Sequence, residues 1–135
     1  MLNFEENFLD KYQFTLKDVN FHLIEEKQDI KEIRLNIHDD LVPSIKDNQL
    51  VALFSREIFF EPSALFNLKV DFEMKLTFKD DLKLNPKDIN WREELVHNPN
   101  PFIGNLISRA SNLISTITLI QGQSPIITPP TFIAE

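Results

Sequence analysis

The most regular stretch of this sequence runs from Leu68 to Phe78, where apolar and polar residues alternate without interruption. Successive side chains of a β-strand point to opposite faces of the sheet, so this alternation predicts a long strand with one buried face and one wet face. Such a pattern is typical of antiparallel sheets, because parallel sheets are covered on both faces. The predicted buried row is Leu68, Val70, Phe72, Met74, Leu76 and Phe78.

Three further segments complete the predicted sheet. Residues 50–60 are rich in β-forming residues. Turn chemistry at residues 61–64 predicts that they form a hairpin with the strand at residues 68–78. Residues 33–38 alternate as a shorter strand. Residues 14–23 form two alternating runs that slip out of phase at Lys17-Asp18, which is the effect of a β-bulge. We expect four strands in an antiparallel meander, followed by helix.

The segment from Pro101 to Gln121 contains a single charged residue, Arg109. Apolar residues recur in it at three- and four-residue steps, which predicts one long helix with Asn100 as its N-cap and Gly122 beyond its end. The opposite face carries small, uncharged side chains where an ordinary surface helix carries charge. We therefore expect an oligomer interface at Ser108, Arg109, Ser111, Asn112, Ser115 and Thr118.

Composition narrows the classes of function. A net charge of −7 argues against nucleic acid as a partner, and polar residues within the long helix argue against membrane insertion. The absence of cysteine excludes disulfides and thiolate chemistry and fits a soluble, cytoplasmic protein. The two glycines are too few for phosphate-binding loops.

No residue pattern indicates catalysis. The histidines have no second ligand at metal-binding spacing, and the paired acids, Asp39-Asp40 among them, are expected to be solvated. We therefore expect no enzyme activity, no catalytic residues, no cofactor and no metal. The three histidines are His22, His38 and His97.

Apolar residues are in surplus around the predicted hairpin and in the tail. One interpretation is that this surplus caps the sheet or fills a subunit interface, and the other is that it forms an exposed groove that receives an extended partner. The two are compatible, since an oligomer can bury part of the surface and expose the rest. The candidate client-binding residues are Phe54, Phe59, Phe60, Leu65, Phe66, Ile126, Ile127 and Phe132.

The order of these elements resembles the SecB-type export chaperones. The local similarity lies in residues 14–21 (FTLKDVNF), in the long strand 68–78, and in the helix that runs into an extended tail between Asn105 and Phe132. The resemblance implies one SecB-like α+β domain over residues 1–135, with an N-terminal segment at 1–12 and an extended tail at 122–135. It implies a four-stranded antiparallel sheet with one long helix packed on one face, plus a short helix near residues 88–96.

The sequence also departs from that family. Members that serve the secretion motor carry a second helix and an acidic tail after the segment that matches Thr128–Phe132, so a reduced SecB-like protein is expected here. In the family, acidic positions on the wet sheet face contact the motor. By resemblance these correspond to Asp18 and, approximately, to Asp71 and Glu73.

Together these observations predict a non-catalytic holdase, a homodimer or homotetramer that binds unfolded or extended polypeptide. The alternative is a dedicated interaction module or regulator, for example one associated with a toxin–antitoxin pair. A third hypothesis, small-molecule binding between sheet and helix, would require a closed apolar cavity.

Overall fold

Alternating sequence segments form one antiparallel sheet in the computed structural model, which describes residues 2–24, 32–98, 100–122 and 124–133. Within this described part, the four strands are β1 (Phe8–Leu23), β2 (Arg34–Lys46), β3 (Gln49–Glu61) and β4 (Phe66–Phe78). The helices are α1 (Phe4–Asn7), α2 (Trp91–His97) and α3 (Pro101–Ile120), with a 3-10 turn at Pro86–Asp88. The predicted α+β architecture is confirmed, including the short helix and the long one.

The strands lie in the order β1-β4-β3-β2. The meander prediction is correct for β2, β3 and β4, but it is wrong for β1, which lies beside β4 instead of β2. This order is that of a Greek key, in which the long connection returns one strand to the far side of a three-stranded meander. Alternation within a strand does not specify its neighbour, so the sequence pattern could not reveal this step.

The predicted bulge in β1 is confirmed. Leu16 lies opposite Phe72 and Asp18 lies opposite Asp71, so one residue, Lys17, is extra in the ladder. The insertion lets both runs of β1 direct their apolar residues to the same face of the sheet.

The strand β2 is longer than predicted and continues to a tight turn at residues 47–48. Asp47 takes a left-handed backbone conformation with φ of 56°, which Asp tolerates better than most residues. Pro43 is accommodated within β2 because this strand lies at an edge of the sheet.

The helix α3 packs on the face of the sheet that carries the buried row of β4. Each fully buried leucine or isoleucine contributes about 1.5–3 kcal/mol relative to an exposed one, so this layer dominates the apolar stabilisation. The helix contributes the buried residues Phe102, Ile103, Leu106, Ile107, Ala110 and Ile114 to the core.

The predicted caps of α3 are present. The side-chain oxygen of Asn100 accepts hydrogen bonds from the backbone N–H groups of Phe102 and Ile103, at 3.0 and 3.1 Å. Gly122 follows the helix with φ of 96°, a conformation that favours glycine. No helix in the described ranges is long and apolar enough to cross a membrane.

Many of the phenylalanines lie in the core. An aromatic cluster that the sequence did not predict joins α1, β1, β4, α2 and α3 at one end of the sheet. It consists of Phe4, Phe8, Phe78, Trp91 and Phe102.

Candidate functional site

A charged residue occupies the middle of the apolar row of β3. Arg56 follows Phe54 and precedes Ile58 on the face covered by α3, and its side chain is completely buried. Directly opposite on β2 lies Asp39, which is 4% exposed. Nε and Nη2 of Arg56 donate to the two carboxylate oxygens of Asp39, both at 2.7 Å. This bidentate pair neutralises both charges inside the apolar layer.

The remaining donors of Arg56 bind the tail segment, which we define as residues 124–133. Nη1 lies 2.9 Å from Oγ1 of Thr128 and 2.8 Å from the carbonyl oxygen of Pro129. Nη2 donates to the carbonyl oxygen of Thr131 at 3.0 Å. Asp39, the other partner of the ion pair, accepts a hydrogen bond from the backbone N–H of Ile133 at 2.8 Å. The ion pair therefore holds the tail segment against the sheet.

Two hydroxyl groups of α3 complete this arrangement. Ser111 Oγ lies 2.7 Å from Thr128 Oγ1 and 3.0 Å from Nη1 of Arg56. Thr118 Oγ1 accepts the backbone N–H of Ile126 at 2.9 Å. The tail segment is thus bound to the helix as well as to the sheet.

An aromatic contact anchors the end of the tail segment. The ring of Phe132 lies 6.1 Å from that of Phe54, centroid to centroid, and the guanidinium of Arg92 lies 5.7 Å from the Phe132 centroid. Polar contacts therefore hold the middle of the segment, and an apolar contact holds its end.

The prediction that Asp39 is solvated is wrong, because the carboxylate is buried against Arg56, and no sequence pattern was assigned to this site. The signal was present in the alternation, since Arg56 falls in phase with Leu50, Phe54 and Ile58. Asp39 likewise falls in phase with Ile37 and Leu41 on β2. Two opposite charges at core positions of neighbouring strands indicate a buried pair once the register of those strands is known.

The predicted interface residues of α3 separate into an exposed group, a pair that binds the tail segment, and Ser115. Ser108, Arg109 and Asn112 are exposed. Thr118 is buried, Ser111 is half-buried, and both bind the chain's own tail segment. Part of the second surface that the helix needs is therefore supplied by this chain. Ser115 is half-buried.

The long helix leaves a row of apolar residues uncovered on β1. Tyr12, Leu16, Val19 and Leu23 lie opposite buried residues of β4, yet they are 38–50% exposed. We call these four residues the edge row, because β1 is an edge strand of the sheet. They belong to the alternating runs of β1, but they are not among the residues predicted to bind clients.

The predicted client-binding residues fall into three classes of exposure. Phe54 and Phe66 are buried in the core and expose no surface, while Phe59, Phe60, Ile126 and Phe132 are half-buried. Leu65 and Ile127 are exposed, at 41% and 78%.

Leu65 lies near one end of the edge row. Its carbonyl oxygen accepts the backbone N–H of Ile24, directly after Leu23. Exposed apolar residues are therefore present both along β1 and at the β3–β4 connection.

The predicted acidic face is mixed in charge. It is the face of the sheet away from α3, and Asp18 lies there opposite Asp71. Glu73 lies 3.7 Å from the ammonium groups of both Lys17 and Lys75. The lysines offset part of its negative charge, so this face combines both signs.

Val42 and Leu53 are also exposed on this mixed face, and both border a groove of about 610 Å³. Among the described residues, no group of three or more acidic or histidine side chains could hold a metal ion.

The fold is similar to that of a known protein, although the sequence matches no known family. No protein-family model matches the sequence, and no curated protein matches it. The chain superimposes on the Mycobacterium tuberculosis SecB-like chaperone Rv1957, whose structure is a complex with a ChAD peptide from the HigA1 antitoxin Rv1956. The TM-score is 0.68 at 7% sequence identity, over 87% of this chain and 89% of that one.

A protein of unknown function from Streptococcus agalactiae aligns with a TM-score of 0.43 at 12% identity, over 93% and 94% of the two chains. The likeness to Rv1957 shows that the sheet and helices adopt the SecB-like fold.

Proposed function

We propose that this protein is a non-catalytic, cytoplasmic polypeptide-binding protein of the holdase type. The observation that carries the proposal is the edge row, an apolar surface beside the side of β1 that pairs with no other strand among the described residues. An extended client could add to this edge by main-chain hydrogen bonds while its alternate side chains contact the row. The SecB-like fold, seen elsewhere with a bound peptide, supports this use.

The expected affinity suits temporary holding. Full burial of a leucine-sized side chain contributes about 1.5–3 kcal/mol, and the edge row is already about half buried. Its four members together therefore contribute on the order of 4 kcal/mol. Added to a few main-chain hydrogen bonds, this corresponds to binding in roughly the millimolar to micromolar range per segment.

We further propose that the protein is a homodimer or homotetramer assembled through the exposed part of α3. Ser108 and Asn112 are exposed and uncharged, and Gly104 lies on the same exposed face. Arg109 is the one charged residue there, and its guanidinium lies 4.8 Å from the centroid of this chain's Phe14 ring. Apart from its chain neighbours and the nearby backbone of α3, a Cβ added at Gly104 would meet no atom of the described residues within 4 Å. Glycine costs about 0.5–1 kcal/mol relative to alanine inside a helix, so close approach of a second surface would explain its presence.

Suppression of aggregation tests the proposed activity. Purified protein should delay the aggregation of a chemically denatured client and should bind an apolar dye. The double variant Leu16→Lys/Leu23→Lys should lose most of this activity, because charge on the edge row opposes contact with apolar segments.

Val42→Lys is the matched control, since Val42 is 54% exposed on the opposite face of the sheet. Size-exclusion chromatography of each variant separates loss of binding from loss of assembly. A wild-type protein that neither delays aggregation nor binds the dye would refute the proposal.

The alternative function is a dedicated interaction module or regulator. It is favoured by one observation, that the SecB-like neighbour was captured with a defined peptide from an antitoxin. Purification from the native host distinguishes the two. One stoichiometric partner would support the dedicated module, whereas a mixture of unfolded clients would support the holdase.

A further inference from the structure

The tail segment is recognised mainly through its main chain. Arg56 binds the carbonyl oxygens of Pro129 and Thr131, Asp39 binds the N–H of Ile133, and Thr118 binds the N–H of Ile126. Contacts to backbone groups place few demands on side-chain identity. A groove built in this way can accept other extended chains.

The side-chain demands of the groove are also visible. Within the segment, Thr128 is buried, and its hydroxyl contacts Ser111 and Arg56. Ile126 and Phe132 are half-buried, whereas Ile127 is 78% exposed. The groove therefore fits an extended segment with a small hydroxyl residue at its centre and apolar residues two positions before and four positions after it.

An open surface depression of about 280 Å³ adjoins Phe132, lined in part by Leu95, Ile103, Ile107 and Pro130. A side chain of a bound segment could enter it from solvent without displacing the core.

The segment is held by contacts that can be exchanged. Its hydrogen bonds to Arg56 and Asp39 end on charged groups, which water can solvate when the segment leaves. Prolines at 125, 129 and 130 keep the segment outside the sheet ladder. Release therefore requires no strand to be broken.

We propose that the groove beneath the tail segment is a second peptide-binding site. Residues 126–133 are its intramolecular occupant, and a client segment of the same chemistry displaces them. The inference rests on the proposed function and adds a regulation to it, because the chain's own tail competes with clients. An attached segment competes at millimolar effective concentration, so it opposes weak clients and yields to strong or abundant ones.

A disulfide lock tests displacement in the full chain. Ser111→Cys/Thr128→Cys places two thiols where hydroxyl oxygens lie 2.7 Å apart, in a protein with no other cysteine. The probe is a fluorescent peptide of sequence SPIITPPTFIAE, identical to residues 124–135. We expect the oxidised protein to bind this peptide at least tenfold more weakly than the reduced protein.

A second variant loosens the tail without altering the groove. Phe132→Ala removes the aromatic anchor from the attached segment only, so the wild-type peptide should bind about fivefold to tenfold more tightly to it. Ile127→Ala is the control and should leave peptide affinity unchanged, because Ile127 is exposed. Equal peptide affinity in the oxidised and reduced proteins, or no gain in Phe132→Ala, would overturn the inference.

A permanently unfolded, carboxymethylated polypeptide serves as the second probe, because the lock leaves the edge row free. Suppose the unfolded polypeptide binds the oxidised and the reduced protein, while the tail peptide has the same affinity for both forms. The proposed function then stands, and the inference that clients displace the tail is wrong. If the unfolded polypeptide binds neither form, the proposed function fails, and the regulation inferred from it fails as well.

Discussion

Arg56 and Asp39 face each other across strands β3 and β2, and their buried ion pair binds the carbonyl and amide groups of a segment more than seventy positions away from Arg56. The pair lies in a layer that is otherwise apolar. Its charges are satisfied by each other and by the tail segment, so the cost of burying them is offset by a complete set of hydrogen bonds. Sheet, helix and tail meet at this point.

Removing one partner of this pair should be strongly destabilising. Arg56→Met leaves the carboxylate of Asp39 buried without its counter-charge, and we expect the free energy of unfolding to fall by about 3–5 kcal/mol. Chemical denaturation followed by Trp91 fluorescence and circular dichroism measures this change.

The double variant Arg56→Met/Asp39→Leu should recover much of the lost stability, because no isolated charge remains. A double variant less stable than Arg56→Met alone would contradict the view that the unpaired charge causes the loss.

The tail segment should also depend on one helix hydroxyl. Thr118→Val removes the acceptor for the backbone N–H of Ile126, which should cost about 1–3 kcal/mol and speed proteolysis near residue 126. Limited proteolysis with mass spectrometry detects the released segment.

Thr116→Val provides a control on the same helix. The hydroxyl of Thr116 is exposed and donates only within the helix, to the carbonyl oxygen of Asn112. Its loss should change stability by less than about 0.5 kcal/mol. Equal protease sensitivity in the two variants would show that the Thr118 contact does not hold the tail.

Asn100 should contribute more than an ordinary helix cap. Its amide nitrogen donates to the carbonyl oxygens of Leu95 and Asn98 while its oxygen caps α3, so it connects α2 to α3. We expect Asn100→Ala to cost about 2 kcal/mol, at the upper end for caps. Asn85 caps the 3-10 turn at an exposed position, so Asn85→Ala should lower the free energy of unfolding by only a few tenths of the loss in Asn100→Ala.

Asn100→Asp separates the two roles of the side chain, because the acceptor remains and the donor is lost. An intermediate stability is expected in thermal unfolding at neutral pH. Full wild-type stability in Asn100→Asp would mean that the link to α2 contributes nothing.

The proposed assembly predicts different outcomes for two neighbouring serines. Ser108→Trp places a large ring on the exposed face of α3, so it should dissociate the oligomer while the subunit stays folded. Ser111→Trp should instead disturb the subunit, because Ser111 contacts Thr128 and Arg56. Light scattering coupled to size-exclusion chromatography, with circular dichroism, measures both effects.

A wild-type monomer at micromolar concentration would contradict the proposed assembly. Gly104→Ala refines the test, since it should stabilise an isolated helix by about 0.5–1 kcal/mol but weaken any close interface at that position.

The sequence by itself determined the local structure. The period-two row from Leu68 to Phe78, the phase slip at Lys17 and the caps at Asn100 and Gly122 all appear as expected. These features depend on residues close together in the chain, where strand and helix periods and backbone preferences act directly.

Only the tertiary structure decided which elements meet. It placed β1 beside β4, left the edge row uncovered, and buried Arg56 with Asp39 under the tail segment. Asp39 and Ile133 are 94 positions apart, and no local period relates them. A charged residue in an apolar row, such as Arg56, is buried only if the fold supplies a partner for its charge. That partner is known only once the strand order and the path of the tail are known.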